Sequence, residues 1–129
     1  MKPDIVNALE ALKPEAIWSL VNNPTATSDY ECLVWQDETQ TKPTEEEVNA
    51  KITELVNAYP MRLLREERDR RIATSDWRIV MAKETGSNIP TAWKTYRQAL
   101  RDLPSTQTPV LDSNNPVGIS SVTWPTEPT

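Results

Sequence analysis

Residues 44–74 read TEEEVNAKITELVNAYPMRLLREERDRRIAT, and the pattern in this stretch decides the fold class. Thr44-Glu45-Glu46-Glu47 is a capping box, in which the Thr hydroxyl and a Glu carboxylate each satisfy a free backbone N–H. Three acids in the first turn also suit the positive end of the helix dipole. Val48, Ile52, Leu55, Val56 and Tyr59 follow on one face. Pro60 is expected to break or kink the helix at Ala58 or Tyr59. A second, charged helix is predicted from Met61 to about Thr74, with Glu66 to Arg70 and Glu67 to Arg71 as well-oriented i,i+4 pairs. A third, from about Asp76 to Thr85, carries Trp77, Val80 and Met81 on one side and stops at Gly86. Pro90 opens a fourth from about Thr91 to Asp102, with Trp93, Tyr96, Leu100 and Leu103 on one face and Pro104 closing it.

Upstream, Ile5, Leu9 and Leu12 define a short amphipathic helix that Pro14 ends. Two strand-like runs come next, Ala16–Val21 and Tyr30–Trp35, separated by a segment rich in turn formers. They predict an antiparallel hairpin, which needs a helix over one face to be stable. From Ser105 the chain is polar and Pro-rich, with one strand-like run from Ile119 to Trp124. The fold class expected is α+β, mainly α: a small β-hairpin packed with short helices, then an extended Pro-rich C-terminal tail. The parts are 1–42, a short helix plus hairpin; 43–104, a helical module; and 105–129, the tail, for which Trp124 is the natural anchor. An ordered tail of this composition is expected to be pinned on its own domain or on a neighbour, and a neighbour in an assembly would suit a structural component.

Composition narrows the chemistry. The 129 residues contain no His, one Cys and two Gly. Without His there is no Ser-His-Asp or Cys-His mechanism and no His-containing metal site. A single Cys excludes an internal disulfide and a Cys-rich zinc site. Gly86 and Gly118 lie too far apart for a phosphate loop. No apolar run approaches the ~18 residues that span a bilayer, and the first residues lack a secretory h-region. The expectation is a soluble, non-secreted, non-enzymatic protein without cofactor or metal.

Charge is uneven. Residues 1–60 hold 11 acids against 4 bases, and residues 61–104 hold 10 bases against 6 acids. Arg62, Arg65, Arg68 and Arg71, with Arg70 and Arg78 nearby, form the most conspicuous series. Nucleic-acid binding needs such bases unpaired on one face. Glu66, Glu67 and Asp69 sit among them, so a solvated, self-paired helix is the favoured reading. The carboxylates at 45–47 and at Asp37-Glu38 are explained by capping and by a loop. Cys32 reads as a structural residue in a strand. Trp18 and Trp35 read as cross-strand neighbours. Trp77 and Trp93 are expected to pack together, so that Trp77→Ala would remove ~3 kcal/mol or more of core.

Leu64–Trp77, reading LREERDRRIATSDW, resembles an RxxRxxxLxxTDW type of motif. Ala92–Pro104, AWKTYRQALRDLP, resembles its second half, and Val122-Thr123-Trp124-Pro125 a closing VxWP element. Together they resemble the phage tail assembly chaperone-like family, also found attached to tail-fibre proteins. Ser75 stands where Thr is usual, and the stretch from Pro104 to Val122 is long for the pattern. Leu33–Asp37 followed by Lys42–Val48 is similar to a small module common in phage tail and fibre proteins. The resemblance implies phage tail biology, no catalysis, and phage tail or fibre proteins as partners, with self-association in the assembly. It also implies residence in the tail of the virion and in host cytoplasm during assembly. Arg65, Arg68, Trp77, Trp93, Tyr96, Arg97 and Trp124 are the residues expected to carry protein contacts. The leading expectation is a structural or docking component of the tail. The alternatives are an assembly chaperone absent from the mature virion and, from another class, a small nucleic-acid-binding regulator using the Arg-rich helix.

Overall fold

A computed structural model describes residues 2–129. In chain order it contains α1 (Ile5–Leu12), β1 (Trp18–Leu20), a 3-10 turn (Asp29–Cys32), β2 (Leu33–Trp35), α2 (Glu45–Thr85), α3 (Thr91–Thr106), β3 (Val110–Leu111) and β4 (Ile119–Ser120). The fold is α+β and mainly helical. The chain divides into two compact units, one up to Tyr59 and one from Pro60 to Thr129, with the boundary inside α2.

In the first unit, α1 starts where Asp4 caps it. The Asp4 carboxylate accepts from the amides of Val6 (3.0 Å) and Asn7 (3.4 Å), and the Asn7 side chain accepts from the Asp4 amide (3.0 Å). Ile5, Ala8 and Leu9 are buried against Leu33 and Val48, with Trp18, Tyr30 and Trp35 around them. β1 and β2 pair antiparallel in the register Trp18↔Trp35, Ser19↔Val34, Leu20↔Leu33. Alternation then sends Trp18, Leu33 and Trp35 to the core and Val34 outwards.

The strands are shorter than predicted. Tyr30–Cys32 winds into the 3-10 turn, so Cys32 precedes the strand instead of lying within it. Two side chains hold that turn. The Tyr30 hydroxyl donates to the Pro43 carbonyl (2.7 Å), and Glu31 accepts from the amide and hydroxyl of Thr27 (2.8 and 3.1 Å).

Asp37 closes the hairpin. Its carboxylate accepts from the amides of Gln40 (2.7 Å), Ile17 (2.9 Å) and Thr39 (2.9 Å) and from the Thr39 hydroxyl (2.9 Å). These donors favour the ionised form, the Gln40 amide most, and hold its pKa at about 2.

The main departure from the sequence expectation is α2, one helix where three were predicted. Pro60 lies inside it without ending it. A helical Pro forfeits one hydrogen bond and crowds the carbonyl four residues back, at a cost of ~3 kcal/mol. Restarting a helix would cost a new nucleation. Tyr59 and Leu64 are buried on either side of Pro60, which favours continuing through it. No new start occurs at Thr74-Ser75-Asp76 either, because the hydroxyls bond backwards. Thr74 Oγ1 donates to the Arg71 carbonyl (2.9 Å) and Ser75 Oγ to the Ile72 carbonyl (2.7 Å). The predicted stop at Gly86 is present: Gly86 has φ +68°, and the Ser87 amide donates back to the Ala82 carbonyl (2.9 Å).

In the second unit, α3 buries Trp93, Tyr96, Leu100 and Leu103 against Leu64 and Ile119. It runs two residues past Pro104, closed by the Gln107 amide on the Leu103 carbonyl (3.0 Å). The segment expected as an extended tail contains a hairpin, β3 with β4 in the register Val110↔Ser120, Leu111↔Ile119. Gly118 turns it with φ +88°, and a Cβ there would stand 3.2 Å from Leu63 Cδ1, so this position requires glycine. The strand predicted from Ile119 to Trp124 stops at Ser120, because Ser121 adopts φ +63°. Val122 and Trp124 then pack on the α3 core.

Leu100→Ala is expected to cost ~2–5 kcal/mol in urea unfolding, since Leu100 is fully buried. Asp37 stabilises the fold above pH ~4, and that stability is lost as pH falls through the range from ~4 to ~2. Acid titration of Asp37→Asn should show a shallower loss over this range than the parent chain.

Candidate functional site

Arg97 is the first feature of the second unit to build from. It projects from α3, and its Nη1 reaches the Ser75 hydroxyl (2.6 Å), the Asp76 carboxylate (2.8 Å) and the Ile72 carbonyl (3.1 Å). Ser75 is the buried polar residue of this core. Its hydroxyl donates to the helix and accepts from Arg97, so both capacities are used. The Ser-Asp pair of the 64–77 motif and the Arg of the 92–104 motif therefore meet, and they fasten α3 to the middle of α2.

Two further arginines lie over aromatic rings, Arg78 against two and Arg71 against one. The Arg78 guanidinium lies 4.5 Å from the Trp77 ring centroid and 4.1 Å from that of Trp93. Arg71 lies 4.1 Å from the Trp124 ring, while its Nε donates to Glu67 (3.0 Å). Glu67 also takes two bonds from Arg70 (2.9 and 2.6 Å). These donors, Arg70 first, hold the Glu67 pKa below its usual value. Trp93 meets Tyr96 edge to face, with centroids 5.7 Å apart. Burial pushes the Tyr96 phenol up, and Glu127 adds to this.

The residues expected to carry protein contacts thus have different fates. Trp93 and Tyr96 are core residues, and Arg97 is the clamp between helices. Trp124 is half-buried and packs on its own unit. Arg68 is paired with Asp69 (2.9 Å), whereas Arg65 is exposed. Trp77 is 53% exposed, so the expected core packing of Trp77 on Trp93 is replaced by the intervening Arg78 guanidinium. The Arg series is largely self-paired: Arg62 to Glu66 (3.3 Å), Arg68 to Asp69, and Arg70 and Arg71 to Glu67. Few of these charges remain to meet phosphates.

Sequence reasoning missed the Arg71 and Arg78 ring contacts. It also missed an apolar patch on the first unit, where Ile17, Val21 and Val34 are exposed. Ile17 and Val21 flank Ser19, which pairs with Val34, so alternation puts all three on the outer face of the hairpin. The patch was legible as odd-numbered apolar residues in a strand already filled with apolar even-numbered ones. Hollows along α3 are open to solvent and lined mainly by short polar and apolar side chains such as Thr95 and Ala99. Among the described residues, no group of three or more His, Cys, Asp or Glu is placed to hold a metal ion.

The clamp, the arginine–ring contacts and the docked Trp124 unite three separated sequence elements into one structural unit, and a family comparison covers the same stretch. The family described as phage tail assembly chaperone protein matches residues 61–129, just over half the chain and nearly all of the second unit. The chain belongs to the phage tail assembly chaperone family. No curated protein and no solved structure matches it.

Arg97→Lys is expected to destabilise the chain by ~1–3 kcal/mol, because the shorter side chain draws the donor nitrogen back from the buried Ser75 hydroxyl and its neighbouring acceptors. Trp77→Ala should change stability by no more than ~0.5 kcal/mol, as for an ordinary surface position. Chemical unfolding of the two variants side by side checks both.

Proposed function

We propose that the chain is a non-enzymatic assembly chaperone that holds tail or tail-fibre polypeptides in host cytoplasm and is absent from the finished particle. Family membership supports the tail-related role. The leading expectation from sequence, a component retained in the virion, drew weak support from an ordered C-terminal segment, pinned on its own domain or on a neighbour. Trp124 and Val122 pack within their own unit, and the Thr123 amide donates to the Gln107 side chain (2.9 Å), so that support is gone.

One observation carries the contact. The β1–β2 hairpin has only two strands and presents Ile17, 62% exposed, with Val21 and Val34 on its outer face. Such a face accepts an extended apolar segment, with the open strand edges offering backbone hydrogen bonds. Nascent tail polypeptides expose segments of this kind before they assemble. In this reading the arginine-rich stretch serves the fold, and nucleic acid is not the ligand.

Co-expression with the tail and fibre proteins of the same phage tests the proposal. The parent chain should co-purify with one of them, and an Ile17→Ser, Val34→Ser double variant should lose that partner while keeping its melting temperature. Mass spectrometry of purified particles should find the chain absent. Fixed stoichiometry in mature particles would make it a structural component.

A further inference from the structure

A second exposed apolar surface lies on α2 in the second unit. At 3.6 residues per turn, Arg70, Ala73, Thr74, Val80, Met81 and Glu84 all fall within roughly 60° of Trp77 around the helix axis. All are exposed. Trp77, Val80 and Met81 make the apolar centre, at 53%, 55% and 48% exposure.

The order of residues along this stripe is self-complementary. In an antiparallel pairing of two copies about a two-fold axis at Trp77, Arg70 of each copy faces Glu84 of the other. Along one edge of the stripe Ala73 faces Val80, and along the other Thr74 faces Met81. Small residues meet large ones and a cation meets an anion at both ends, as an isologous interface requires. The mirrored order excludes the parallel arrangement, which would set Arg70 on Arg70 and Glu84 on Glu84. Arg70 is also held in place for the role. Glu67 engages two of its five N–H donors, leaving three for an incoming carboxylate.

We propose that this stripe pairs with a second copy of the chain, antiparallel, with the two Trp77 rings at the centre. The patch is small, so the pairing is weak and concentration-dependent. It is independent of client binding at the hairpin.

Sedimentation of the full purified chain over a wide concentration range, with no tail protein present, tests this directly. The parent should show a reversible monomer–dimer equilibrium. Trp77→Ser should weaken it about tenfold or more, with circular dichroism and thermal melting confirming an unchanged fold. Arg70→Glu and Glu84→Arg should each weaken it a few-fold, and the two reversals combined should restore it. A parent chain that stays monomeric throughout overturns the proposal. So does dimerisation that Trp77→Ser leaves intact, which would place the contact elsewhere. Failure of the double reversal to restore pairing overturns the antiparallel register. A monomeric parent whose Trp77→Ser variant loses a co-purifying tail protein assigns the stripe to that protein instead.

Discussion

The second unit depends on the bond between Arg97 and Ser75. A buried hydroxyl in the middle of a long helix is costly unless satisfied, and a guanidinium brought close to a core needs acceptors. Each answers the other, and Asp76 and the Ile72 carbonyl complete the set. This fixes the level at which α3 meets α2, and hence which α3 residues face Leu64. Once Trp93, Tyr96, Leu100 and Leu103 are set there, Ile119 and Trp124 have a surface to pack on. The C-terminal hairpin is too short to stand alone and follows from that surface.

The same constraint changes how the conspicuous residues are read. Arginine and tryptophan in close spacing suggest a binding surface, since both are common at the centres of interfaces. Here Arg71, Arg78 and Arg97 are engaged on Trp124, on the Trp77–Trp93 pair and on Ser75–Asp76. Within the stretch that the family model covers, these side chains hold the unit together. Ile17, Val21 and Val34 on the hairpin, and Val80 and Met81 beside Trp77 on the helix, are among the large apolar side chains left exposed.

Local signals in the sequence were reliable where local chemistry decides. The Thr44 cap, the Gly86 stop, the opening of α3 after Pro90 and the periodic face from Trp93 to Leu103 all hold in the structure. Reading failed where tertiary packing outweighs local preference. Pro60 allows either a break or a kink, and the buried residues on both sides decide for a continuous helix. A separate helix was expected from about Asp76, but the hydroxyls of Thr74 and Ser75 bond back into α2, and Ser75 accepts from Arg97, a partner 22 residues away. The polar C-terminal segment reads as an extended tail anchored by Trp124; the anchor packs on the core with Ile119 and Val122, but the segment also folds into the β3–β4 hairpin. For the candidate site, periodicity showed which residues share a face. It could not show that Arg78 would enter between Trp77 and Trp93 and leave Trp77 outside.

The central claim is that the second unit, including its C-terminal segment, is ordered by its own residues and needs no neighbour. Amide hydrogen exchange on the purified chain in isolation tests it most directly. Amides with an acceptor in this segment, those of Asp112, Gly118 and Thr123 among them, should be protected far beyond the rates of an unstructured peptide. Exchange at unstructured rates throughout 107–129, with protection appearing only when a tail protein is added, would contradict the account.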